Sequence, residues 1–333
     1  MRRPAHEKRA RLALYLVAVL CCLPCASPSS AQQTADGPKI FGEGVVSAGF
    51  DESGGAFTPD GETFYFVKGI RWSDELSVIV FSRRAKGRWG EPRVAPFSGR
   101  YQDRDPFISA DGAKLYFSSN RPTEGTNPKP DFDLWVVERR GRGWGRPERL
   151  GGAVNTSADE ASPSLAADGT LYFTSNRKGG RGGFDIYRAR TAGGAVESPE
   201  NLGEAVNAGG DERQVTVEPG GRFIIFASQR RGGSGDFDLY VSHHDGGSWL
   251  PAQNLGPGVN TGLADFSPLL SPDGKTLFFT SYRGLPRAGG GEREADYGAL
   301  VRRLRAAGNN SADIYYVGVG VLPPKSQNSG ALR

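Results

Sequence analysis

DEASPSLAADGTLYFTSNRKGGRGGFDIYRAR, residues 159–190, contains a repeating unit of strands and turns. A first extended segment, 163–166, runs into the turn Ala167-Asp168-Gly169. A second, Leu171–Ser175, has the aromatic and β-branched content of a strand. The glycine-rich turn 178–183 leads to a third segment, 184–189. A short fourth segment around 200–202 then passes into Gly203. Asp-Gly and Gly-Gly at the tips supply the positive φ that tight hairpins need.

The same unit recurs at intervals of about 50–57 residues. DRDPFISADGAKLYFSSNRP…DFDLWVVER occupies 103–139, and DERQVTVEPGGRFIIFASQRRGGSGDFDLYVS occupies 211–242. ADFSPLLSPDGKTLFFTSYRG…SADIYYVG spans 264–318, and the most divergent copy, ESGGAFTPDGETFYFVKG, spans 52–69. Units that bury their faces only against one another, each of four antiparallel strands, predict an all-β, five-bladed β-propeller. Pro38-Lys39-Ile40-Phe41-Gly42-Glu43-Gly44-Val45 matches the fourth strand of other copies, such as Pro199-Glu200-Asn201-Leu202-Gly203-Glu204-Ala205-Val206. The last repeat stops after its third strand, so the N-terminal strand is expected to complete it and close the ring. A ring of six blades, one of them degenerate, is the alternative.

The domain plan places a leader at 1–31, the propeller at 38–320 and a tail at 321–333. Arg2, Arg3, Lys8, Arg9 and Arg11 precede an apolar run, 12–23, and the small residues Ser29-Ser30-Ala31. That pattern reads as a secretory signal peptide, too short for a comfortable membrane span. The expected location is therefore periplasmic or secreted, with no membrane span in the mature chain. The leader holds all three cysteines, five of the 41 Lys+Arg and one of the 37 Asp+Glu, leaving 36 of each sign behind. A formally neutral mature chain gives no electrostatic case for nucleic acid as a partner. A mature chain without cysteine has no disulfide framework, thiol nucleophile or thiolate metal site.

Eight residues before each Asp-Gly or Gly-Gly turn stands an acid: Glu52, Asp103, Glu160, Glu212 and Asp265. At the head of the strands that line the axis, they read as a ring at one channel mouth. Such a ring is suited to a cation through oxygen ligands or to basic groups of a partner. The alternative is that each acid caps its own loop. Arg121, Arg177, Arg230 and Arg283 follow the second strands, while Asp133, Asp185, Asp238 and Asp313 open the third. As hairpin neighbours they are expected to pair, Arg121 with Asp133, Arg177 with Asp185, Arg230 with Asp238 and Arg283 with Asp313, as structural ion pairs.

Asp105 breaks the repeat, since the aligned residues are Gly54, Ser162, Gln214 and Ser267. Trp89, Trp144 and Trp249 precede the fourth strands and read as blade-edge packing. Trp72 belongs to no repeat position and reads as an exposed contact. Between Arg283 and Asp313 an insertion of about thirty residues offers a short helix over 292–307, with an apolar stripe of Leu300, Val301 and Leu304. His243 and His244 are adjacent and point apart in an extended segment. No nucleophile elbow, phosphate-binding loop or His-based metal motif is present in the sequence.

The strings S-P-x-x-x-x-D-G-x-L-Y-F-x-S-N-R at 162–177 and G-G-F-D-I-Y at 182–187 resemble the WD40-like PD40 repeat. This is the repeat of the TolB propeller and of many bacterial envelope proteins. Asn201-Leu202-Gly203…Val206-Asn207 and Asn254-Leu255-Gly256…Val259-Asn260 resemble versions found beside OmpA-like domains. The resemblance implies a periplasmic or cell-envelope propeller that binds something, usually another protein; no cofactor is expected, with a cation held by the acid ring as the alternative. On this reading the chain is expected to be without the N-terminal α/β domain and one blade of TolB and without an OmpA-like domain, so neither a Tol role nor peptidoglycan binding is carried over. The rival readings are a five-bladed glycoside hydrolase, to which Asp105-Pro106 bears a superficial likeness, and a cation- or small-ligand-binding propeller.

Overall fold

The computed structural model describes residues 37–70, 73–192, 195–284, 296–309 and 311–326. Trp72, expected to be an exposed contact, the leader and residues 327–333 therefore lie outside the described residues. Within them, each repeat folds as one antiparallel blade whose strands run outward in chain order. Blade I comprises Asp51–Phe57, Thr63–Ile70, Ser73–Ala85 and Arg93–Val94. Blade II comprises Asp103–Ile108, Lys114–Ser119, Asp133–Arg140 and Glu148–Arg149. Blade III follows with Glu160–Leu165, Leu171–Ser175, Asp185–Ala189 and Glu200–Asn201, and blade IV with Glu212–Val217, Phe223–Ser228, Asp238–His243 and Gln253–Asn254. Blade V takes Asp265–Leu270, Thr276–Ser281 and Asp313–Gly318 from the end of the chain, and Lys39–Ile40 from its beginning. The ring thus has five blades.

Closure works as the repeat count requires. Lys39 stands opposite Tyr316 and Ile40 opposite Tyr315, and the Phe41 N–H donates to Ile314 O at 2.8 Å. The Phe41 ring then meets Phe278 of blade V and both Phe64 and Trp89 of blade I edge-on, with centroids 4.9, 5.2 and 5.5 Å away. One residue therefore joins the last blade to the first. The first strands of all five blades pack side by side around the axis, blade V against blade I included.

Between blades the second strands supply the filler: Phe64, Phe66, Phe117, Phe173, Phe226 and Phe279 are fully buried. The edge tryptophans reach backward across the seams. Trp144 of blade II donates its indole N–H to Tyr65 Oη of blade I at 2.9 Å, and Trp249 of blade IV packs edge-on against Tyr172 of blade III. An asparagine after the connectors leaving blades II, III and IV ties the ring tangentially. Asn207 accepts from the Ile186 N–H and donates to Ile186 O, as Asn155 does with Leu134 and Asn260 with Leu239. Two such bonds from one amide copy a strand's backbone pairing. Ser47 does the same with Ile314 at the closing seam.

The helix of the insertion covers Tyr297–Leu304, with Asp296 accepting the Ala299 N–H at its start. It is shorter than the expected 292–307. Residues 292–295 and the side chains of Leu300 and Leu304 lie outside the described set. After Gly318 the chain crosses blade IV, where Pro323 O lies 3.0 Å from His243 Nε2, while His244 turns to Trp249. No helix among the described residues is long and apolar enough to cross a membrane.

Because Phe41 bridges the seam, Phe41→Ala is expected to cost about 3 kcal/mol in chemical denaturation. A loss below about 1 kcal/mol would show that the N-terminal strand does not hold the ring closed.

Candidate functional site

The five acids at the heads of the first strands are all fully buried. Each is bound by its own loop and a cation of its own blade. Glu160 accepts from the Thr156 N–H and hydroxyl, from Ser175 Oγ and from Arg177. Glu212 accepts from the Ala208 N–H, Ser228 Oγ and Arg230, and Asp265 from Thr261, Ser281 Oγ and Arg283. Asp103 binds Ser98 Oγ and Arg121. In blade I, Glu52 binds the Ala48 N–H and Lys68. The expected ring of free carboxylates at a channel mouth is corrected: the oxygens are spent inside the blades, where the backbone turns of the connectors need acceptors.

The arginine pairing is corrected as well. Arg121, Arg177, Arg230 and Arg283 make ion pairs with Asp103, Glu160, Glu212 and Asp265, at 2.6, 3.1, 3.5 and 2.7 Å, rather than with Asp133, Asp185, Asp238 and Asp313. The register explains the choice. Ser175 lies opposite both Glu160 and Asp185, so Arg177 stands near either acid. Asp185, however, already accepts the Arg181 and Gly182 N–H groups of the glycine turn and the Asn201 amide. Asp238 is served likewise by Ser234, Gly235 and Asn254, and Asp133 by Lys129 and Arg149. The same Nη2 that meets the acid also donates to a carbonyl of the connector, Phe97 O, Val154 O, Val206 O or Val259 O.

Burial pushes Glu160 and Glu212 above the usual carboxylate range despite their arginines. At the closing seam burial lifts Glu52 from its ordinary 4.5 to about 7, against the opposing pull of Lys68. Asp313 rises from 3.8 to about 6, again through burial. Ile40 stands where the other blades III and IV have Asn201 and Asn254, so Asp313 lacks that amide donor. Its Oδ1 has no hydrogen-bond partner among the described residues.

Two residues beyond each acid the first strand carries a bulge, with one extra residue against the second strand in every blade. Gly54, Asp105, Ser162, Gln214 and Ser267 occupy it, all with φ between 47° and 57°. Four of these are not glycine, in a region that L-residues rarely occupy. The five line a chamber of about 40 Å³ on the axis. Toward the Asp-Gly turns it opens into a funnel of about 200 Å³, lined by Phe57, Phe107, Leu165, Val217, Leu269 and Leu270 and rimmed by prolines. This mouth lies at the opposite end of the first strands from the acids. Asp105 is the one carboxylate lining either space among the described residues. Its Oδ2 accepts from Ser118 Oγ and from the Ser162 N–H of the next blade, both at 3.1 Å. No group of three or more His, Cys, Asp or Glu among the described residues is arranged to hold a metal ion.

Several solved structures are similar to this chain. TolB from Acinetobacter baumannii shares 16% identity, with 80% of this chain and 54% of that one covered and a TM-score of 0.45. A putative TolB from Agrobacterium tumefaciens shares 19%, covering 81% and 90%, at a TM-score of 0.46. An α-L-arabinofuranosidase from Lactobacillus brevis shares 12%, covering 81% and 90%, at 0.48. The chain spans about half the length of the first of these. No family model and no curated protein sequence matches the chain. TolB propellers are thus among its structural neighbours. At TM-scores below 0.5 the likeness carries no argument, and the five blades rest on the strand pairing.

Arg177→Ala would leave Glu160 buried without its cation, at an expected cost of about 3–5 kcal/mol. Arg188→Ala, whose partner Glu200 is 65% exposed, should cost under about 1 kcal/mol. Equal losses in urea denaturation would remove the acid–arginine clamp as a structural element.

A carboxyl whose pKa is raised by folding holds its proton more tightly in the folded chain. Its contribution is complete below the ordinary value and lost as pH climbs through the raised one. Glu52 and Asp313 therefore predict stability falling between about pH 4.5 and 7. Glu52→Gln should flatten that fall in denaturation curves taken at intervals across the range, and an unchanged slope would exclude Glu52 as its source.

Proposed function

We propose that the chain is a binding or scaffold module of the cell envelope, periplasmic or secreted, whose axial funnel receives a segment of a partner protein. The observation that carries this reading is the funnel. The five acids heading the first strands find their partners inside the blades, yet Phe57, Phe107, Leu165, Leu269 and Leu270 stay half-buried around an open cavity. A closed ring of well-packed blades offers a rigid platform, on which little ordering is needed when a ligand docks. The basic and apolar leader supports an envelope location.

The axis supports binding over glycoside hydrolysis. That chemistry uses two carboxyl groups about 5–9.5 Å apart, and Asp105 stands alone among glycine, serines and glutamine. The buried acid ring is not offered as the contact surface.

Affinity capture from the native cell envelope, with cross-linking, compares the chain with two variants. A specific partner should be captured by the unmodified chain and by the outer-edge variant Arg93→Ala, and lost with Phe107→Asp at unchanged thermal stability. Equal capture by folded Phe107→Asp would overturn the funnel as the binding surface.

A further inference from the structure

We propose that the floor of the funnel is a recognition site for a primary ammonium or guanidinium group carried on an aliphatic stem, with Asp105 as its counter-charge. This rests on the funnel being the binding surface and names the chemistry of what enters it.

The repeat itself isolates the site. At the bulge position the other four blades place Gly54, Ser162, Gln214 and Ser267 on the axis, all neutral. Blade II places a carboxylate there. A residue that maintains the blade would recur with the blade, as the buried acids and arginines do; Asp105 does not. Its charge is also uncompensated. The donors to Oδ2 are a serine hydroxyl and a backbone N–H, both neutral, and Oδ1 accepts no hydrogen bond among the described residues. Asp105 takes part in no ion pair among them either. Across the chamber, Gln214 Oε1 is buried without a hydrogen-bond partner among the described residues. Asp105 lines the chamber with a carboxylate that only accepts, whereas Gln214 Oε1 is shut off within the wall, so the space calls for a group that donates to Asp105. An ammonium or guanidinium is such a group.

Size and polarity fix the rest of the ligand. The chamber, at about 40 Å³, holds roughly three water-sized groups, which admits a cationic head and excludes a sugar ring. Above it the walls turn apolar at Phe107 and Leu269, which line both spaces. From the bulge to the mouth the strand advances two or three residues, roughly 7–10 Å at about 3.3 Å each. That is the reach of a lysine or arginine side chain, or of a free alkylamine of about six carbons. The apolar stem would cover the funnel wall while its head meets Asp105.

Binding to the full chain is followed by NMR shift titration with n-hexylammonium, 1-hexanol and hexanoate. Hexylammonium is expected to bind at least about tenfold more tightly than hexanol, with hexanoate weakest, and Asp105→Asn should remove that preference. Asparagine keeps an oxygen for Ser118 and Ser162 and tolerates positive φ, so the variant folds. If hexanol binds as well as hexylammonium and Asp105→Asn changes nothing, the funnel stands and the cation site falls. If none of the three binds and Phe107→Asp also leaves partner capture intact, both fall. Binding of calcium or sodium ions that depends on Asp105, without hexylammonium binding, would likewise overturn the organic-cation site. Nα-acetyl-lysine methylamide compared with an extended lysine peptide then separates the sources. Tighter binding of the peptide by about tenfold or more assigns a protein side chain, and equal binding assigns a free amine.

Discussion

One buried carboxylate per blade organises the propeller. It stands at the head of the innermost strand, where the chain arrives from the previous blade and must turn onto the axis. The turn leaves backbone N–H groups facing inward, at Ala48, Thr156, Ala208 and Thr261, and the acid accepts them. A carboxylate buried for that purpose is costly alone, so a cation from the second strand neutralises it. In blades II to V that cation is an arginine. Its fork also bonds a carbonyl of the incoming connector, and its face lies over aromatic rings such as Phe173 and Tyr187, or Phe226 and Tyr240. Connector, first strand and second strand are thereby fixed by one polar node. Lysine, with a single point charge, does less in blade I, and there the carboxyl is shifted furthest.

The acid node and the axial bulge are linked by geometry. Holding the head of the strand against its connector, while its far end joins a tight hairpin, leaves one residue too many between them. The bulge absorbs it at the same place in every blade, in a left-handed conformation. Only Gly54 adopts that conformation without a Cβ penalty. That Asp105, Ser162, Gln214 and Ser267 persist there means the surrounding blade determines the conformation more strongly than the residue does. The ring is free to vary the side chain at this point, since the backbone geometry is held elsewhere. A propeller can therefore change what lines its axis without altering its blades.

The fold was legible because the propeller writes it five times. Strand, turn and strand recur with the same aromatic positions, and the orphan fourth strand at 38–45 announces closure. Leu171–Ser175 is found where the pattern places it, and the seam is filled by Phe41, which follows the closing strand Lys39–Ile40. The site was less legible. Position alone placed Glu52, Asp103, Glu160, Glu212 and Asp265 near the axis, but not whether their oxygens face the channel or the loop. That depends on connector N–H groups, which no side-chain pattern reports. The same limit misassigned the arginines, because two acids lie opposite one serine and the glycine turn decides between them. Asn155, Asn207 and Asn260 carried a signal, the Val-Asn that ends the connectors leaving blades II, III and IV. Its meaning as a two-bond clamp on the third strand needed coordinates.

Recurrence and departure carry different information in such a chain. Residues that recur hold the blade, and their charges are matched within it, so they present little to a ligand. A residue that departs from the repeat is released from that duty. Asp313 departs by context: its neighbour in the closing strand is Ile40 rather than an asparagine, and the result is an unmatched acid sealed within the structure. Asp105 departs by identity, and it does so beside an open apolar cavity. The first is the strain of joining two chain ends into a ring. The second leaves a negative charge at the base of a hydrophobic funnel, where burial of a stem and neutralisation of a head group reinforce each other.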